Sequence, residues 1–111
     1  MKAIKVHEQD GCKVVRFQAS KLTADDQILH LSDELKEVLE SVPSGSTLVL
    51  DFQDVEIVAS MLLGDLVTLS KEASRQKVAL QLWHLSSDVL RVFSMCQLDR
   101  LFDIVFDEPV D

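Results

Sequence analysis

Residues 48–66 read LVLDFQDVEIVASMLLGDL, and this stretch carries most of the information about the fold. The run at 47–52 is almost entirely apolar, which is typical of a strand buried on both faces in a parallel sheet. After a short loop, Ser60 precedes apolar residues that recur at helical spacing from Met61 to about Gln76. A buried strand followed by an amphipathic helix predicts an α/β architecture.

The segments before this stretch predict a hairpin and a helix. Residues 4–7 and 13–18 are short β-rich runs, and the Asp10-Gly11 pair between them is a strong signal for an antiparallel hairpin. Apolar residues then follow a 3.6-residue period between positions 28 and 42. Thr23 is the predicted cap at the start of this helix, and Pro43 is its predicted end.

The segments after this stretch predict one further strand and one further helix. Residues 78–83 alternate in polarity as a strand does, and Ser86-Ser87-Asp88 is the predicted capping segment of a third helix whose inward side includes Cys96. Residues 103–106 form either a last short strand or an extended tail. We therefore expect an α/β fold with a mixed sheet of four to five strands, antiparallel in the hairpin and parallel after it, with three to four packed helices.

Length and charge restrict the class of protein. The chain has 111 residues, 47% hydrophobic and 27% charged, so we expect one domain over 1–111 with a short acidic tail at 107–111. The net charge of −8 repels nucleic acid and anionic lipid, which argues against both as partners. Since no apolar run exceeds three residues, we expect no membrane span, no signal peptide and a cytoplasmic location, with Cys12 and Cys96 as reduced thiols.

The residues that carry enzyme chemistry are not arranged in a known catalytic pattern. No Gly-x-Ser-x-Gly surrounds Ser60, and the histidines His7, His30 and His84 pair with no nucleophile by motif. No spacing matches a metal site, and the isolated glycines form no phosphate-binding loop. The sequence therefore predicts no enzyme activity, no metal and no cofactor.

Two residues at the start of the second helix each have two interpretations. A serine such as Ser60 at a helix start is either a simple N-cap or a position where a phosphate would be stabilised by free backbone N–H groups and the helix dipole. Gly64 lies inside the same helix, where glycine costs up to about 1 kcal/mol relative to alanine. It permits close approach either to the sheet, which we favour, or to a partner.

Two stretches resemble the STAS domain, the family of bacterial anti-sigma factor antagonists. In that family an apolar strand ends in Asp, and after a short loop the motif Asp-Ser-Ser-Gly-Leu-Gly begins a helix. Residues 48–66 align with this arrangement. Residues 84–104, HLSSDVLRVFSMCQLDRLFDI, resemble the family's ending, in which a serine-capped helix leads to Leu-Asp-x-Leu-Phe-x-Ile. The order of strands and helices agrees across nearly the whole chain.

The resemblance implies a regulatory function without catalysis. Typical members bind an anti-sigma factor that is also a serine kinase, phosphorylation of the first serine of the motif ends this binding, and a phosphatase restores it. That serine matches Ser60, the strand-end aspartate matches Asp51, and the last glycine matches Gly64. The sequence departs from the motif elsewhere, because Ala59 replaces its aspartate. Met61 and Leu62 replace its second serine and first glycine.

The resemblance therefore leads to a predicted site and two alternatives. Ser60 is the expected phosphoacceptor, and the expected partner-binding residues are Asp51, Asp54, Ala59, Met61, Leu62, Gly64 and Asp65. One alternative is a structural adaptor of the same fold without a working phosphosite. The other is a receiver-like domain that uses Asp51 as phosphoacceptor, although the acidic pair and the late lysine that a receiver needs are missing from the sequence.

Overall fold

The N-terminal hairpin is present as the sequence predicts. The computed structural model describes residues 4–105, so the predicted acidic tail at 107–111 lies outside the described residues. Strands β1 (Ile4–Gln9) and β2 (Cys12–Phe17) pair antiparallel. Asp10 and Gly11 connect them with φ angles of 53° and 81°, the left-handed pair that a two-residue hairpin turn requires.

The remaining elements alternate between strands and helices. In chain order they are β3 (Lys21–Leu22), α1 (Asp25–Glu40), β4 (Thr47–Asp51), β5 (Ile57–Val58), α2 (Ser60–Arg75), β6 (Ala79–Trp83), α3 (Ser87–Met95) and β7 (Asp103–Val105). The main sheet has five strands in the order β1-β2-β4-β6-β7, and every pair after the hairpin is parallel. The predicted mixed α/β sheet is confirmed, and it carries three helices.

Every second residue of the central strands faces the core, so these side chains share one face of the main sheet. Val15, Leu50 and Leu82 are register neighbours on three adjacent strands, and all three are fully buried. The apolar sides of the three helices belong to the same buried cluster. A row of aromatic rings, in which each contacts the next, crosses this core and consists of Phe17, Phe52, Phe93 and Phe102. Such continuous packing holds the loops at the ends of the strands in place.

A second, two-stranded parallel sheet lies beside the main one and was not predicted. In it, Lys21 pairs with Ile57 and Leu22 pairs with Val58. The N–H of Ala59 also donates to the carbonyl oxygen of Leu22 at 3.0 Å. Because α1 and α2 each begin within three residues of this small sheet, their N-terminal ends lie side by side.

Three local predictions about the helices can be compared with the structure. The predicted cap at Thr23 is wrong, since Ala24 is the capping position and the Gln27 side chain accepts hydrogen bonds from the N–H groups of both residues. The predicted capping segment of α3 is confirmed, and within it the cap is Ser86, whose hydroxyl oxygen accepts from the N–H of Val89 at 3.2 Å. Cys96 is exposed rather than inward, because α3 ends at Met95.

Candidate functional site

Ser60 is the first residue of α2 and is exposed to solvent. The prediction that it caps the helix is wrong by one position. Ala59 has the extended backbone of a cap, with φ −85° and ψ 154°, and its carbonyl oxygen accepts from the N–H groups of Leu62 and Leu63. The Ser60 side chain therefore lies at the positive end of the helix dipole, where an added negative charge is stabilised.

The next residues of α2 divide between the surface and the core. Met61 is 38% exposed, whereas Leu62 is fully buried and packs in the core. The predicted contact of Leu62 with a partner therefore does not fit its position. Gly64 is exposed, and a Cβ atom built on it would meet no atom of the described residues within 4 Å. The favoured interpretation, that Gly64 lets the helix approach the sheet, is wrong.

Residues from outside α2 complete the surface around Ser60. Ile57, in the small sheet, is 47% exposed and is the register partner of Lys21. Asp25 and Asp26 form the exposed first turn of α1, whose N-terminal end adjoins that of α2. We call the group formed by Asp25, Asp26, Ile57, Ser60, Met61 and Gly64 the Ser60 surface. It combines two exposed apolar side chains with acidic groups.

Asp65 follows Gly64 and faces the groove between the first two helices. It lines this groove together with Lys36 of α1 and Thr68 of α2. Its Oδ2 atom is buried and has no hydrogen-bond partner among residues 4–105. Asp65 is therefore partly buried and faces this groove, not the Ser60 surface.

Asp51 has a different position from the one that the sequence suggested. It is only 6% exposed, and its Oδ1 accepts a hydrogen bond from the N–H of Gln53 at 3.0 Å. The same oxygen lies 2.7 Å from Nδ1 of His84, which follows β6 and has a left-handed backbone with φ of 60°. Asp51 therefore fixes the start of the loop that leads to Ser60, and its burial does not suit direct contact with a partner. Nothing in the sequence pairs Asp51 with His84, which lies 33 positions away.

Asp54 lies in that loop and pairs with the main sheet. Its carboxylate binds Arg16 of β2 through two nitrogens, with Nε donating to Oδ2 and Nη2 to Oδ1, both at 3.2 Å. The hydrogen bond and the charge of Asp54 raise the pKa of Arg16 above its usual value. Since Arg16 is also the register partner of Asp51, both aspartates belong to the strand ends and not to the first turn of α2.

The described part of the chain contains neither a metal-binding cluster nor a membrane-spanning helix. Between residues 4 and 105, no group of three or more His, Cys, Asp or Glu side chains could hold a metal ion. In the same part of the chain, no helix has the length and apolar character needed to cross a membrane.

Comparison with known proteins agrees with this architecture. The family model for the STAS domain matches residues 3–110. The chain belongs to the STAS domain family. This membership gives no support to the receiver alternative, and Asp51, the phosphoacceptor in that alternative, is buried.

Solved STAS structures share the fold at low sequence identity. A Thermotoga maritima protein assigned as an anti-sigma factor antagonist is 24% identical, with a TM-score of 0.75 over 96% of this chain and 87% of that one. An anti-sigma-factor antagonist (STAS) domain protein from Planctomyces limnophilus is 15% identical, with a TM-score of 0.85 over 95% and 90% of the two chains. The Bacillus cell fate determinant SpoIIAA in its phosphorylated form is 14% identical, with a TM-score of 0.61 over 96% and 93%.

Proposed function

We propose that this STAS domain is a non-catalytic regulatory module that binds an anti-sigma factor of the serine-kinase type, and that phosphorylation of Ser60 ends the binding. The observation that carries the proposal is the position of Ser60, exposed at the first residue of α2 beside the apolar side chains of Ile57 and Met61. Family membership supports the class of partner, and a phosphatase would restore the unmodified state.

Local charge supports the proposed direction of the switch. A phosphate adds about −1.5 to −2 charges. Within the domain, the N-terminal end of α2 tolerates this charge. At an interface, however, the phosphate would be desolvated on a surface that also carries the acidic first turn of α1, and like charges close together oppose binding. The switch would then act by local repulsion without a change of fold.

A binding experiment with substitutions at Ser60 tests the proposal. The serine-kinase anti-sigma factors encoded in the same genome would be purified, and their affinity for the wild-type chain, Ser60→Ala and Ser60→Asp would be measured by calorimetry. We expect Ser60→Ala to bind like wild type and Ser60→Asp to bind about ten-fold or more weakly, since repulsion of about 1.4 kcal/mol corresponds to a ten-fold loss of affinity. Ser87→Asp is the matched control, because Ser87 is the exposed first residue of α3.

A phosphorylation assay separates the switch from the adaptor alternative. The bound kinase and ATP should add about 80 Da to the wild-type chain and nothing to Ser60→Ala. Binding that is equally tight for Ser60→Asp and Ser60→Ala, with no added mass, would contradict the switch. That result would support the alternative in which the chain is a structural adaptor of the same fold. The departures from the family motif at Ala59 and Met61 are compatible with this alternative.

A further inference from the structure

Strand β1 is an edge of the main sheet, and no strand among residues 4–105 pairs with its outer side. Residues next to a two-residue hairpin turn exchange both main-chain hydrogen bonds across it, so Gln9 bonds to β2. The bonding direction alternates along the strand. The N–H and C=O groups of Ile4, Val6 and Glu8 therefore point outward, where they form a template for one further strand.

The outer side of β1 opens into a groove beside α1. The groove has a volume of about 560 Å³, and its apolar lining consists of Ile4, Val6 and Val38. Val6 is 41% exposed, although it is the register partner of the buried Val15 and so lies on the face of the sheet that the helices cover. Every second side chain of an added strand would therefore enter this groove.

The wall that α1 contributes to the groove is acidic, because Glu34 and Glu37 line it. The Oε1 atom of Glu34 is buried and accepts no hydrogen bond within residues 4–105. Nε2 of His30 lies 3.8 Å from this atom, which is too far for a hydrogen bond. Lys5 also lines the groove, but strand alternation directs its side chain to the opposite face of the sheet. A cation that entered the groove would therefore stabilise a buried carboxylate that has no donor.

We propose that β1 receives an extended segment of another protein as an additional strand, and that this segment carries a lysine or arginine between apolar residues. In this mode of recognition, main-chain hydrogen bonds give affinity and the contacts of alternate side chains give specificity. Val6 and Val38 contact the apolar side chains of the segment, and Glu34 and Glu37 bind its cation. The inference goes beyond the proposed function, because these residues are separate from those of the Ser60 surface.

A second copy of this chain fits the same edge less well. The side chains of β1 that face the helices are Ile4, Val6 and Glu8, so a copy of β1 would bring a carboxylate and no cation to the acidic groove. Two chains that each have a net charge of −8 also repel each other. Charge therefore favours a basic segment from a different protein.

The test uses a synthetic peptide in which valine and lysine take turns at every second position, with threonine between them. Its binding to the full chain would be followed by NMR through the amide signals of the protein. We expect the largest shifts at residues 4–9. Val6→Pro removes an outward N–H without removing a bond to β2, and it should bind the peptide about ten-fold more weakly. Glu34→Gln removes the charge and should weaken binding by a similar factor.

Each change has a matched control. Val6→Ile keeps the N–H and the apolar side chain, so it should bind like wild type. Glu40→Gln changes an exposed residue of the same helix that does not line the groove, and it should also bind like wild type. A peptide with glutamate in place of lysine should not bind.

Several results would overturn the proposal. Strand addition would be wrong if the lysine peptide did not bind or if Val6→Pro bound it as tightly as wild type. A glutamate peptide that bound as tightly as the lysine peptide would overturn the assigned chemistry. A wild-type chain that dimerised in sedimentation, while Val6→Pro stayed monomeric, would show that a second copy occupies the edge. None of these results changes the expected effect of Ser60→Asp, so the two proposals fail separately.

Discussion

Asp51 and His84 are 33 positions apart in sequence, yet Oδ1 of the aspartate lies 2.7 Å from Nδ1 of the histidine. The contact connects the end of β4 to the residue after β6, and Asp51 also binds the N–H of Gln53. The loop that leads to Ser60 therefore starts from a fixed point. In this chain the strand-end aspartate of the STAS motif is buried and holds the start of this loop.

Removing this contact should lower the stability of the domain. Asp51→Ala leaves the N–H of Gln53 and the His84 ring without their carboxylate, and loss of a buried partner costs about 1–3 kcal/mol of unfolding free energy. A double-mutant cycle with His84→Ala should show a coupling on the order of 1 kcal/mol in urea denaturation. Asp54→Ala is the control, because its pair with Arg16 is exposed to solvent and should contribute far less to stability than the buried contact of Asp51. Additive effects of Asp51→Ala and His84→Ala would show that the contact does not stabilise the fold.

The neighbours Met61 and Leu62 should respond in opposite ways to truncation. Leu62→Ala should lower the unfolding free energy by about 2–5 kcal/mol, since the side chain is fully buried in the core. Met61→Ala should change it by less than about 0.5 kcal/mol and should instead weaken binding to the anti-sigma factor. Denaturation and calorimetry on the same two variants test both statements. A Met61→Ala variant with normal affinity would remove Met61 from the proposed surface.

The main sheet and its helices could be predicted because each has a pattern long enough to recognise. The apolar run at 47–52 and the helical period after Ser60 together imply β4 and α2, and both are present. The small sheet could not be predicted in the same way. Each of its strands has two residues, which is too short for any alternation, and its pairing joins segments more than 30 positions apart. That α1 and α2 both begin beside this small sheet follows from that pairing and was missed with it.

The cap at Ser60 and the orientation of Gly64 were predicted incorrectly, because each depends on local backbone geometry that the sequence does not reveal. Ser60 has the side chain of a typical cap, but the cap is defined by backbone angles, and Ala59 adopts them. A glycine inside a helix has the same appearance in a sequence whether it faces the sheet or solvent. Only the structure shows that the position of a Cβ at Gly64 is open.

The start of α3 offers a test of capping by two adjacent serines. Ser86→Ala removes the oxygen that accepts from the N–H of Val89, and we expect a loss of about 1 kcal/mol of unfolding free energy. Ser87→Ala should change stability by less than about 0.5 kcal/mol, since Ser87 is exposed within the first turn. Thermal and urea denaturation would both show the difference. Equal effects of the two substitutions would contradict the assignment of Ser86 as the cap.

Ser60→Asp should change stability and affinity in opposite directions. The first turn of α2, residues 60–63, contains no acidic residue in its sequence, so a negative charge there should stabilise the helix by about 0.3–1 kcal/mol. Ser60→Lys should lower stability by a similar amount, and both effects should shrink as salt is added. In the binding assay the aspartate variant should nevertheless be the weaker binder, because its charge is desolvated only in the complex. If Ser60→Asp lowered both stability and affinity, the loss of binding would reflect damage to α2, and repulsion at the interface would no longer be needed to explain it.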